Sequence, residues 1–236
     1  MEGVRAPGDI VAFGGADARK IATVLRLREG DAVAVIDSTA TLFAATLDRS
    51  LHAVLGARVA GGESERGLRV TVAQGIPKGQ KMDFVVEKLT ELGVTALLPF
   101  ESERSVVIGA GGNKVERWRR LAKTAAAQCG RREIPAVESP LTFADVIARF
   151  EGYDCVLFPW ELAPRALLRD ALPAAVANAR DVLVVIGPEG GFSHAEAEAA
   201  TAAGARVLSL GSRILRTETA GIALLAILNY ATEGDA

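Results

Sequence analysis

The stretch VLVVIGPEGGFSHAEAEAA, Val182 to Ala200, carries an apolar run into a glycine-rich turn and then into a helical pattern. An apolar, β-branched run closed by glycine reads as a buried strand. Ser193, with Glu196 three residues on, forms a capping box, so a helix starts at about His194. Strand, glycine turn and helix make the unit of a parallel α/β sheet, and such turns lie at the strand ends where these sheets bind ligands. A dinucleotide would ask for G-x-G-x-x-G and a helix start with free N–H donors. Here the spacing is G-P-E-G-G, Pro188 lacks an N–H, Glu189 sets an anion where a diphosphate would lie, and the capping box already satisfies the helix start. The chain after Gly187 is also too short for a dinucleotide-binding half with its acidic ribose-binding residue. The expected ligand is neutral or cationic, with an adenine or ribose that backbone groups can hold.

A second turn follows in LGSRILRTETAGIALLAILNY, where strand RVLSLG ends at Gly211 and a helix begins near Thr217 to Thr219. Tight turning alone could explain Gly187, Gly190, Gly191 or Gly211. Two such turns, one carrying Glu189 and the other Arg213, Arg216 and Glu218, point to a site. The last helix, about Ala220 to Tyr230, is apolar nearly all round and is expected to be buried on most sides, in the core or against a second subunit. Upstream, LRVTVAQGI reads as a strand and KMDFVVEKLTELGV as a helix with Met82, Val85, Val86, Leu89 and Leu92 on one face and Gly93 as its stop. VTALLPF is a strand, Asn113 and Glu116 form a capping-box pattern opening a basic helix, TFADVIARF is a short helix and YDCVLFPW a strand. This alternation implies a parallel sheet with helices on both faces. Up to about Arg58 the chain instead reads as short strands and turns. The glycine-rich GGESERG divides a small β domain, 1–67, from an α/β domain, 68–236.

Half of the 236 residues are apolar, enough for a real core. No apolar run approaches the roughly 18 residues of a membrane span, and MEGVRAPGDI lacks the order of a signal peptide, so a cytoplasmic protein is expected. Cys129, Cys155, His52 and His194 show neither metal-ligand spacing nor a disulfide framework. The net charge is −2, yet KVERWRRLAKTAAAQCGRR sets Lys114, Arg117, Arg119, Arg120, Lys123, Arg131 and Arg132 against Glu116. That row is either a solvated face or a phosphate-binding surface. Trp118 within it is a core residue or a stacking platform.

GPEGGFSHAE together with LGSRILRTETA resembles the signature of the SPOUT methyltransferases, and specifically the RsmE family, which methylates N3 of a uridine in helix 44 of small-subunit ribosomal RNA. GIPKGQKMDFVVEKLTELGV, LLPFESERSV and AQCGRREIP are similar to further family blocks in the same order. The resemblance implies an N-terminal PUA-like β-barrel that binds RNA, a C-terminal trefoil knot, S-adenosylmethionine as cofactor, and a homodimer that completes each site. It implies cofactor contacts from Phe158 and Pro159, from Ile186, Gly187, Pro188, Glu189, Gly190 and Gly191, and from Leu210, Gly211, Ile214, Leu215, Arg216 and Thr217. The expected substrate is the assembled 30S subunit. One departure is Ala127, where relatives often carry Glu ahead of the glutamine.

Uracil N3 holds an imide proton at neutral pH, so methyl transfer needs a base and a group that steadies charge on O2 and O4. Glu189 and Glu218 are the candidate bases and Arg216 the candidate stabiliser. Glu189 could equally be a turn residue, and Glu218 a first-turn acid favoured by the helix dipole. RNA capture is assigned to Arg26 and Arg28 on the β domain and to Lys78, Lys81, Arg104, Arg119, Arg120, Gln128, Arg131 and Arg132. A catalytically silent RNA-binding protein and a nucleotide-linked oxidoreductase are the rival readings.

Overall fold

The alternation of Leu42–Leu47 becomes a strand whose Phe43, Ala45 and Leu47 point inward while Ala44 and Thr46 face out. A computed structural model describes residues 5–37, 41–59, 68–105, 111–164 and 168–232. Residues 61–67, where the boundary loop is expected, lie outside these, but the chain divides into two compact units, Met1–Arg66 and Gly67–Ala236. In the first, β1 (Ile10–Val11), β2 (Ala32–Ile36), β3 (Leu42–Leu47) and β4 (Ala53–Arg58) form an antiparallel sheet in the order β1-β4-β3-β2. Val11, Val35, Phe43, Ala45, Ala53 and Leu55 make its core. Strands and turns alone were expected here. Instead α1 (Gly15–Arg19) runs into a π-helical turn, Lys20–Val24, because Ala16, Ala18, Arg19 and Lys20 favour helix.

The second unit alternates β5 (Arg69–Gly75), α2 (Lys81–Glu91), β6 (Ala96–Glu101), α3 (Gly112–Cys129), β7 (Ala136–Val137), β8 (Leu141–Thr142) and α4 (Phe143–Ile147). It continues through β9 (Cys155–Pro159), α5 (Leu168–Val176), β10 (Asp181–Ile186), α6 (His194–Ala202), β11 (Arg206–Leu208) and α7 (Thr217–Thr232). The strands pair in parallel in the order β11-β9-β10-β5-β6-β7, with β8 also on β6. The run at Val182 is buried on both faces because successive side chains point opposite ways. Val182, Val184 and Ile186 join a core with α2, α3, α5 and α7, while Leu183 and Val185 join a second core with α4 and α6.

The predicted face of α2 is present, with Met82, Val85, Val86 and Leu89 buried and Leu92 partly so. Trp118 is a core residue at 3% exposure. The capping box expected at Asn113 and Glu116 does not form. The helix starts two residues earlier than that box requires, at Gly112, with Gly111 as an N-cap that has no side chain to bond, and Glu116 pairs with Arg119 at 2.6 Å instead. The last helix buries Gly221, Leu224, Leu225 and Leu228 but leaves Ile227 at 38% and Tyr230 at 88% exposure, so its apolar surface is not fully covered within one chain.

Candidate active site

The carboxyl ends of β9, β10 and β11 surround a cavity of about 630 Å³, within the range that small-molecule sites occupy. Of the expected cofactor contacts, Pro159, Ile186, Gly187, Pro188, Glu189, Gly190 and Gly191 line it, as do Leu210, Gly211, Ile214, Leu215, Arg216 and Thr217. Phe158 does not. It is fully buried in the aromatic core beneath, with its ring 4.3 Å from that of Phe192, because at its register in β9 the side chain faces the second core. Trp160, Glu161 and Lys81 also line the cavity. The first two directly follow Pro159 in the sequence, so the strand end that marked the site extends to them.

Backbone proximity fixes the glycine turn. A Cβ on Gly75 would sit 2.6 Å from Pro188 N and 2.9 Å from Gly187 C, so the end of β5 packs directly on the turn. Beside it, the buried Gln74 donates from Nε2 to Thr217 Oγ1 at 2.9 Å, and Thr217 donates in turn to the Gly187 carbonyl. This relay joins β5, α7 and the turn after β10. On the other side the α6 capping box forms as the sequence indicates, the Ser193 hydroxyl accepting from the Glu196 N–H and the Glu196 carboxylate from the Ser193 N–H. The same carboxylate accepts the Glu103 N–H at 3.0 Å, and Arg104 Nη1 donates to the carbonyls of Gly190 and Phe192, each at 3.3 Å. Gly191, at φ +64°, lies against the Glu161 carboxylate, which a Cβ would meet at 2.6 Å.

Charge gathers around one lysine. Lys81 Nζ donates to Glu189 Oε1 at 3.0 Å and stands 3.5 Å from Glu218 Oε2. The Lys78 N–H donates to the same Glu189 oxygen at 3.0 Å. Burial pushes the Glu189 carboxyl up, but the hydrogen bonds from Lys81 and Lys78 and the Lys81 charge outweigh it and hold the group below its ordinary range. The Glu189 hydrogen bond, followed by the charges of both carboxylates, raises Lys81 against desolvation. The Glu218 side chain is 14% exposed, and among the described residues its buried Oε2 has no hydrogen-bond partner, so it faces the ammonium at ion-pair distance. Arg216 is 82% exposed, with Nη1 4.0 Å from Glu218 Oε1.

A family model described as an RNA methyltransferase domain matches residues 64–229. Ribosomal RNA small subunit methyltransferase E of Bacillus subtilis is 33% identical over 230 residues, 93% of this chain and 89% of that protein. The chain belongs to the RsmE family of RNA methyltransferases. A methyltransferase of Legionella pneumophila, solved with bound S-adenosylmethionine, is 28% identical with a TM-score of 0.86 over 98% of this chain and 96% of that one. The family's enzyme from Neisseria gonorrhoeae, also solved with S-adenosylmethionine, is 26% identical with a TM-score of 0.84 over 98% and 95% of the two chains. The α/β architecture is that of the SPOUT methyltransferases.

Within this RsmE-family chain the cations assigned to RNA divide into two groups. Lys81 and Arg104 are engaged by the glycine turn, as described. Arg131 Nη1 donates to the carbonyls of Thr90 and Val94, closing the end of α2, and Arg119 bonds both Glu116 and the Val137 carbonyl. Arg117, in the same basic row, pairs with Asp83 at 2.6 Å. Arg120 and Gln128 face solvent on α3, as do Lys114 and Lys123, while Arg132 is half-buried and the Lys78 side chain is exposed. In the first unit Arg26 and Arg28 are exposed, and Arg26 adopts φ +54°, an uncommon conformation for a residue with a Cβ.

Proposed function

We propose that the chain transfers the methyl group of S-adenosylmethionine to N3 of a uridine in helix 44 of small-subunit ribosomal RNA. Its substrate is the assembled 30S subunit in the cytoplasm, and it acts as a homodimer. The cavity carries the reading: its walls join apolar side chains and backbone to the carboxylates of Glu161 and Glu189, and the buried Trp160 indole N–H on its wall has no hydrogen-bond partner among the described residues. A buried donor without an acceptor is costly and suits a ligand atom. The Glu161 carboxylate on the wall suits a cationic sulfonium, and a G-P-E-G-G turn whose Pro188 has no N–H is a poor cradle for a diphosphate, which weighs against an oxidoreductase using a dinucleotide. The apolar outer face of α7, with Ile227 and Tyr230 exposed, supports the dimer. The return of the chain from β11 at the sheet edge to α7, packed against β5 and β10 in mid-sheet, is compatible with the trefoil knot.

When bound, S-adenosylmethionine supplies an electrophilic methyl on sulfur. Glu189 lines the cavity, stays ionised at neutral pH and accepts the N3 proton. Glu218 backs Lys81 from behind, since its Oε2 is buried against the ammonium. Arg216, mostly exposed at the mouth, meets the incoming RNA, and Lys114, Arg120, Lys123 and the exposed arginines of the first unit bind phosphates.

The test is transfer of labelled methyl to small subunits lacking their modifications, with the modified nucleotide mapped afterwards. Label at N3 of one helix 44 uridine supports the reading. Cofactor binding without transfer points to another RNA, and absence of cofactor binding restores the silent RNA-binder.

A further inference from the structure

The geometry points to Lys81 as a catalytic residue that binds a carbonyl oxygen of the substrate imide while the neighbouring Glu189 takes the proton from its ring nitrogen. This rests on the uridine reading above. An imide places an N–H directly beside a C=O. A protein that recognises it needs an acceptor and a donor side by side, and the Glu189 carboxylate and the Lys81 ammonium, both on the cavity wall, are joined by a hydrogen bond of 3.0 Å.

An ammonium carries three N–H donors. One goes to Glu189 and one faces Glu218 Oε2 at 3.5 Å, which leaves the third for a ligand, on a side chain 37% exposed. Two carboxylates hold this cation in place from separate segments, one on the turn after β10 and one on α7. Arg216, 82% exposed with a contact at 4.0 Å, has no comparable anchoring. The chemistry also needs such a cation. Glu189, held below the ordinary carboxylate range, is a weak base, and a weak base removes an imide proton only where the resulting anion is stabilised.

In the step itself the N3–H bond breaks and its proton passes to the Glu189 carboxylate. The pair left on N3 delocalises to the oxygen bound by Lys81, then forms the bond to the methyl carbon. The carbon–sulfur pair stays on sulfur, whose positive charge is thereby lost, and Glu189 returns the proton to solvent. Lys81 stays protonated throughout, because the Glu218 carboxylate remains 3.5 Å from its ammonium while Glu189 holds the proton.

The test compares wild type, K81M and K81R in single-turnover methyl transfer to small subunits reconstituted with uridine or with 5-fluorouridine RNA. The fluorine withdraws electrons and acidifies N3. Calorimetry of S-adenosylmethionine binding runs alongside. The expected result is a fall of about 100-fold for K81M on uridine, a cofactor Kd within about threefold, and a defect at least about tenfold smaller on 5-fluorouridine. K81R keeps the charge, loses less, and its defect shrinks in the same way. Equal defects on the two RNAs, or a loss accounted for by weakened cofactor binding, overturn the inference while leaving the uridine reading in place. Failure of wild type to methylate either RNA removes that reading and this inference with it.

Discussion

Replacing Gly75 with alanine tests whether the turn proposed to hold the cofactor is set by backbone contact. The added Cβ would stand 2.6 Å from Pro188 N, 2.7 Å from Pro188 Cδ and 2.9 Å from Gly187 C, where ordinary contact begins at 3.4 Å. The nearest of these falls short by 0.8 Å (3.4 less 2.6). None of the three atoms can swing aside, because two belong to the main chain and the third to a proline ring closed upon it. The turn must therefore move, at an overpacking cost of about 1–3 kcal/mol. The same displacement pulls the Gly187 carbonyl from Thr217 and Glu189 from Lys81. A misplacement of about 1 Å in a reacting site costs on the order of 100-fold in rate. Urea unfolding reads the first effect, and calorimetric S-adenosylmethionine binding with single-turnover transfer reads the second. Gly130→Ala is the control: at φ +79°, with nothing within 4 Å of its added Cβ, it strains the end of α3 and leaves the site alone, lowering stability by about 1 kcal/mol. If Gly75→Ala binds cofactor within about threefold of wild type and transfers methyl at an undiminished rate, the turn is not positioned as argued.

Glu196→Ala leaves the N–H groups of Ser193 and Glu103 without their acceptor, and urea unfolding should register a loss of about 2–4 kcal/mol. The depressed Glu189 contributes stability above its ordinary value of 4.5 that is lost as pH falls through its lower folded value; the raised Lys81 contributes below 10.5 and loses it above. Cofactor affinity should therefore be flat between about pH 6 and 9, and in K81M a carbon-13 titration should find the Glu189 carboxyl shifted upward. Arg120→Gln should reduce the dependence of RNA affinity on log salt by about one unit, whereas Arg131→Gln should lower stability by about 1–3 kcal/mol because its partners are the carbonyls of Thr90 and Val94.

Signals confined to a few neighbouring residues were legible in the sequence. The buried run at Val182, the Ser193–Glu196 box and the apolar face of α2 depend on neighbours within a turn or on strand period, and each stands where the pattern puts it. The glycine turns carry their own geometry, so the cavity was legible as well. What the sequence withheld was the partner of each charge. Lys81 reads as a free cation until Glu189 arrives from 108 positions away, and Arg104 until Gly190 arrives from 86. Phe158 lies outside the cavity for a different reason: its neighbour Pro159 lines it, and adjacent residues of a strand face opposite ways. At Asn113 the residue types of a capping box are present, but the helix had already begun.

The sheet separates the two apolar cores, with Leu225 in one and Phe143 in the other. Substitutions at such pairs add their costs independently. Sequence drift can therefore accumulate among the helices of one face without compensation from the other. The segment from Ile186 to Phe192 is anchored in both cores, its first residue in one and its last in the other. Repacking on either face reaches the pocket, which inherits the tolerance of whichever core is less forgiving.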